Sequence, residues 1–266
     1  MADEGAQLLD FAARLGRPCG LGRGHHAEYK GGRLLESDRC TEETRVLAEV
    51  VIVDYGAGNL RSVARAVRYA GIEPLVTSDP GAVDGARALI LPGVGAAADT
   101  MANLRRTNLV EPLREYIAAD RPFLGVCMGM QALFDISEEG GEHECLGVLP
   151  GRIVRFPTGL TVPHMGWNTL RLERPHPVLE GVADGAYGYF VHSYYPRPDD
   201  PALTIASTEH GVPFASIVGR GNLIATQFHP EKSGAAGLRM YENFLRLSLN
   251  GGSIAPEAAT SAGGSA

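Results

Sequence analysis

Three short runs without a polar side chain constrain this sequence most: Val50–Val53, Ala88–Leu91 and Phe123–Val126. Runs this short and this apolar read as strands buried on both faces, because a strand with one wet face would alternate. Between them the apolar residues recur at helical spacing, first at Leu60, Val63, Ala64, Val67 and Ala70. Gly71 stops that helix, Pro74–Thr77 offers a further strand, and Leu109, Leu113, Tyr116 and Ile117 mark a helix over Asn108–Ala119. Buried strand followed by amphipathic helix, repeated, predicts right-handed crossovers and a doubly wound, mostly parallel α/β sheet flanked by helices. Ligands in such sheets sit at the carboxyl ends of the strands.

After Gly141 the pattern changes to short strands at 152–156, 169–172, 187–191, 203–207, 214–218 and 223–227, punctuated by Pro, Gly and Asp. These predict a smaller antiparallel extension in the second half, closed by a helix over Ala236–Leu249. Residues 1–48 read as a flexible N-terminal extension, or as translated sequence upstream of the true start. One short helix over Gln7–Leu15 precedes glycine-rich, charged stretches with little to bury. The folded domain is expected over 49–250, and the small, polar residues 251–266 as a disordered tail.

The net charge of −7, without a basic block, leaves no footprint for nucleic acid or an anionic membrane. No apolar stretch approaches the roughly 20 residues of a membrane span. Cys19, Cys40, Cys127 and Cys145 show neither a CxxC metal pattern nor a dense disulfide framework. The natural compartment for such thiols is the cytoplasm. His25-His26 lacks a partner cluster and reads as solvated, so no metal and no cofactor is expected.

The third run ends in Gly125-Val126-Cys127-Met128-Gly129, after which Met130, Ala132, Leu133, Phe134 and Ile136 suit a helix. A strand turning sharply into a helix at a nucleophile is the elbow geometry known best with serine. A following helix N-terminus would favour the thiolate. Cys127 equally suits a small buried hydrophobe. Pro92-Gly93-Val94-Gly95, after the second run, places glycines where backbone N–H groups can approach a ligand. Gly56-x-Gly58 is not a dinucleotide fingerprint, since the third glycine would fall at Arg61. Far along the chain, a strand over 223–227 leads into His229-Pro230-Glu231. In extended backbone residues i and i+2 share a side, so His229 could take a thiol proton while Glu231 orients the ring.

Gly125–Gln131 together with Gln227–Ser233 resembles the class I, triad-type glutamine amidotransferases. Asp54–Leu60, Pro92–Gly95, Val162–Asn168 and Tyr189–Tyr194 follow the order of one branch, the glutaminase subunits of imidazole glycerol phosphate synthase, over about residues 50–250. The resemblance implies the flavodoxin-like fold of that class. It implies that Cys127 attacks the glutamine side-chain amide, His229 relays the proton to ammonia and Glu231 holds the histidine. It implies an oxyanion hole from backbone N–H groups at Met128 and in Gly93, Val94 and Gly95. Substrate glutamine would be recognised by Gln131 and, mainly through backbone, by His192, Ser193 and Tyr194. It implies a heterodimer with a separate (β/α)8-barrel cyclase subunit, which uses the ammonia to make imidazole glycerol phosphate and an aminoimidazole carboxamide ribotide in histidine biosynthesis. Asn59, Trp167, Tyr189 and Lys232 match interface positions, although Trp167 and Tyr189 also suit core packing. Residues 1–48 have no counterpart in the family, and Ala96-Ala97-Ala98 stands where a bulkier aromatic is expected.

Three other readings are weaker. A glutaminase serving pyridoxal phosphate synthesis would not be expected to carry His164-Met165-Gly166-Trp167-Asn168. A non-catalytic module on this scaffold would lose one of Cys127, His229 and Glu231. An α/β-hydrolase orders nucleophile, acid, histidine, whereas here the acid follows the histidine.

Overall fold

Alternate residues of the apolar runs feed two different cores, one on each face of a sheet. Val50, Ile52, Ile90 and Leu124 pack with Val63 and Val67 of the helix Leu60–Tyr69 and with Met240, Tyr241 and Phe244 of the helix Gly234–Leu249. Val51, Val53, Leu89 and Phe123 pack with Met101 and Leu104 of the helix Ala97–Arg106 and with Leu113 and Tyr116 of Val110–Ala118. The period of two along each strand produces this division. All residues of Val50–Val53 and Ala88–Leu91 are fully buried. The computed structural model describes residues 48–255 except Ala57 and Gly252. The expected extension over 1–48 lies outside these apart from Ala48, as do the helix over Gln7–Leu15, the His25-His26 pair and residues 256–266 of the tail.

The main sheet has eight strands in the order Leu75–Thr77, Val50–Val53, Ala88–Leu91, Phe123–Val126, Leu223–Thr226, Pro213–Arg220, Thr204–Glu209, Arg171–Leu172. From Leu75–Thr77 to Leu223–Thr226 neighbours run parallel; beyond that they are antiparallel. A second sheet orders Tyr194–Pro198, Leu149–Arg155, Phe134–Ser137 and His143–Glu144, and His164–Thr169 pairs with Tyr187–His192 as a separate antiparallel ribbon. The α/β class and the antiparallel extension are as the sequence predicts. Among the described residues no helix is long and apolar enough to cross a membrane.

The helix expected after Cys127 is cut to Met128–Gln131. Chain 146–149 takes the carbonyls that a longer helix would need: Leu146 N donates to Ala132 O, Val148 N and Leu149 N to Leu133 O, and Gly147 N to Phe134 O. Phe134–Ser137 is therefore a strand. At the other end the fold runs past residue 250. Ile254 is fully buried, and Ser253 Oγ and Ile254 N both donate to Asn222 Oδ1 at 2.7 and 2.8 Å.

Adjacent parallel strands Ala88–Leu91, Phe123–Val126 and Leu223–Thr226 end side by side. Their carboxyl ends lead directly into Pro92–Gly95, Cys127 and Gln227–Glu231, respectively. The topology thus collects three segments far apart in sequence at one edge.

Candidate active site

Cys127 sits at φ +54°, ψ −108°, a left-handed backbone that costs a non-glycine residue on the order of 1–3 kcal/mol. The turn is pinned on both sides. Cys127 N donates to Thr226 O at 2.7 Å, and Cys127 O accepts from Met130 N and Gln131 N. Only glycine fits two positions around it. A Cβ on Gly129 would lie 1.9 Å from Leu91 O, and one on Gly93 would lie 2.7 Å from Met128 Cβ and 2.8 Å from Gly129 N. The Pro92–Gly95 segment therefore runs against the elbow, beside the Met128 backbone. Because the helix here is a single turn, the dipole reaching the sulfur is weaker than the sequence pattern implies.

His229 and Glu231 meet, though not by the extended i, i+2 geometry. His229 is extended, but Pro230–Lys232 is a 3₁₀ turn, which brings Glu231 Oε1 to 2.8 Å from His229 Nδ1. The pair's side chains are 2% and 0% exposed. Ser233 Oγ donates to His229 O at 2.7 Å and locks the turn. Burial works against the imidazolium, but the Cys127 sulfur and the Glu231 carboxylate outweigh it and hold His229 at about 10. His229 Nε2 and Glu231 Oε2 are buried without a protein hydrogen-bond partner.

The predicted substrate residues form a connected set. Gln131 Nε2 donates to Tyr194 O at 2.9 Å and Gln227 Oε1 at 3.0 Å, while Gln131 Oε1 is buried with no partner. Gln227, which the sequence pattern did not single out, donates from Nε2 to Cys127 Sγ at 3.8 Å. His192 Nδ1 lies 2.8 Å from Tyr194 O, so Nδ1 carries the proton and Nε2 must accept. His164 Nδ1 supplies that donor at 3.0 Å. His164 Nε2 in turn accepts from Asn168 Nδ2 at 3.1 Å, and Asn168 Nδ2 also donates to Glu209 O. Ser193 O accepts from Phe156 N, which ties this segment to the second sheet.

This relay requires neutral histidines. Burial is the main cause that pushes His164 down to about 4 and His192 to about 3. The unfolded chain binds these protons near the ordinary 6.5, the folded chain only well below it. The contribution of these two histidines to stability is therefore complete above about pH 6.5 and falls as the pH drops towards 4, by about 1.4 kcal/mol per pH unit for each. Urea unfolding at pH 7.5, 5.5 and 4.5 should show midpoints falling in that order; a flat series would contradict the neutral relay.

The four predicted interface residues are divided. Trp167 is 57% exposed, so core packing does not account for it. Its ring meets Tyr189 edge to face at 5.8 Å, and Lys232 Nζ lies 5.9 Å from the Tyr189 ring centre. Tyr189 O accepts from His229 N, and Tyr189 N donates to Ser233 Oγ, so this row backs directly onto the His229 turn. Asn59 instead turns inward and donates to Glu231 Oε1. Among the described residues no group of His, Cys, Asp and Glu is arranged to hold a metal ion.

Residues 51–247 match the family model described as "Glutamine amidotransferase class-I". The chain is 52% identical over 200 residues to "Imidazole glycerol phosphate synthase subunit HisH" of Dehalococcoides mccartyi, covering 75% of this chain and 98% of that protein. It is 51% identical over 193 residues to the HisH subunit of Desulfitobacterium hafniense, covering 73% and 92%. Among solved structures, a crystal structure of a glutamine amidotransferase superposes with TM-score 0.61 at 22% identity, covering 75% of this chain and 98% of that one. The PurLQS structure from Thermotoga maritima gives 0.58 at 18% identity, covering 74% and 97%. These two speak for the fold alone. The elbow, the buried histidine–carboxylate pair and the extent of these matches lead to one assignment: the chain belongs to the class-I glutamine amidotransferases and, within them, to the HisH subunits of imidazole glycerol phosphate synthase.

Proposed function

We propose that Cys127, His229 and Glu231 are the triad with which this HisH-family chain hydrolyses glutamine. The Cys127 thiolate adds to the side-chain amide carbon, and its oxygen becomes an oxyanion facing N–H groups of Met128 and of Gly93, Val94 and Gly95. One such donor contributes roughly 3 kcal/mol to the barrier. Protonated His229 gives its proton to the leaving nitrogen as the C–N bond breaks, releasing ammonia and leaving a γ-glutamyl thioester. Neutral His229 then takes a proton from water as it attacks, and the C–S bond breaks to give glutamate and the thiolate. Glu231 holds the ring and balances its charge throughout. The observation that carries this reading is a strained cysteine elbow beside a buried His–Glu pair, with the imidazolium favoured by the sulfur itself. Gln131 Oε1, a buried acceptor without a donor, suits the α-ammonium of the substrate, and His192, Ser193 and Tyr194 shape the other wall.

Ammonia released into neutral water becomes ammonium, which is no nucleophile, so the product needs a sheltered route to a second site. A (β/α)8-barrel cyclase subunit, in a cytoplasmic heterodimer, is the partner that the HisH relationship points to. The Trp167, Tyr189, Lys232 row is the face for it. Glutamate release should be slow for the chain alone and rise by a large factor when the cyclase and its ribotide are added. Full activity of the isolated chain, or no co-purification with the cyclase, would overturn the partner assignment.

A further inference from the structure

Asn59 occupies the position immediately before the helix Leu60–Tyr69, where asparagine ordinarily uses its side chain to cap the first free N–H groups. Here it makes no such cap. Its backbone carbonyl alone accepts from Ser62 N and Val63 N, and its backbone lies in the left-handed region at φ +71°. Cap and relaxed backbone are both given up, and the side-chain amide reaches across 172 residues of sequence to Glu231 Oε1. That oxygen is the one facing His229 Nδ1, while Oε2 has no partner. His229 and the Tyr241 hydroxyl, itself buried without a hydrogen-bond partner, are titratable groups that interact with this carboxylate. Glu231 is thus aimed by two donors on a single oxygen, His229 Nδ1 and the Asn59 amide.

Resting on the triad reading above, we infer that Asn59 is a positioning residue of the glutaminase reaction, fixing the Glu231 carboxylate so that it orients His229. A buried carboxylate with one free oxygen can rotate, and rotation would swing His229 away from the sulfur. A neutral amide suits the task because it donates a hydrogen bond without adding charge to a site whose His229 must pass between charged and neutral forms.

Two substitutions separate this role from a structural one. Asn59→Gly keeps the left-handed backbone without strain and removes only the amide. Asn59→Asp keeps the shape but sets a second carboxylate against Glu231, and becomes a donor only when protonated. Glutamate release is measured for the full chain with the cyclase present. Asn59→Gly should lower kcat about tenfold or more, the loss expected for one hydrogen bond to a charged group, with KM for glutamine unchanged and Tm near that of the parent. Asn59→Asp should fall further at neutral pH and recover relative to Asn59→Gly as the pH is lowered. A wild-type kcat in Asn59→Gly, or identical pH profiles for the two variants, would overturn the inference. His229→Ala run in parallel tells the two failures apart: if it stays active the triad falls, and if it is dead while Asn59→Gly is not, only the role of Asn59 falls.

Discussion

Cys127→Ala should lower glutamate release from glutamine by at least about ten-thousand-fold, as loss of a nucleophile does in a triad, while leaving the fold intact. The side chain is nearly buried, and replacing it with a methyl group removes one polarizable atom from a site whose backbone is already held by Thr226, Met130 and Gln131. Alanine accepts φ +54° no better and no worse than cysteine, so Tm should move by only a few degrees. The variant should still bind the cyclase, and the cyclase should still turn over when ammonium salts replace glutamine, because only the source of ammonia is lost. Glutamate release by the alanine variant at the parent rate would remove Cys127 from the mechanism.

Gly129→Ala should be lost for a different reason. Its new methyl would lie 1.9 Å from Leu91 O and 2.8 Å from Leu91 C. Both are backbone atoms of a fully buried strand, so nothing nearby can step aside. Either the elbow or the Ala88–Leu91 strand must shift, and overpacking of this kind costs roughly 3 kcal/mol or more. The same shift moves Cys127 relative to Gly93 and His229, so activity should fall to background even in the fraction that folds. Urea unfolding with parallel glutaminase assays checks both. Parent-like stability and activity would mean that the elbow is looser than its contacts show.

The apolar runs and the triad motifs were legible because local chemistry determines them. Phe123–Val126 is a strand because nothing in it can face water, and Cys127 stands out because glycines flank it at the points of closest approach. What was not legible depends on partners distant in sequence. Residues 132–137 have helical spacing, but their carbonyls are claimed by 146–149. The helix Ala97–Arg106 carries only a faint signal, Ala97, Met101 and Leu104 on one face. In Tyr194–Pro198, Pro196 and Pro198 argue against a strand; the segment tolerates them by lying at a sheet edge. His164 and His192 look unrelated until the Tyr187–His192 ribbon pairs them. The family resemblance places Asn59 at an interface, and only the three-dimensional contact reveals its bond to the triad acid.

The central claim is that Cys127 carries the glutamyl group between the release of ammonia and the attack of water. The most direct measurement is to mix the chain and its cyclase with glutamine, quench in acid on the millisecond-to-second scale, digest, and weigh the peptides. A glutamyl increment on the peptide containing Cys127, absent from Cys127→Ala and absent from the peptide containing Cys145, is the predicted result. Glutamate formed at full rate with no adduct on Cys127, or with the adduct on another residue, would contradict the account.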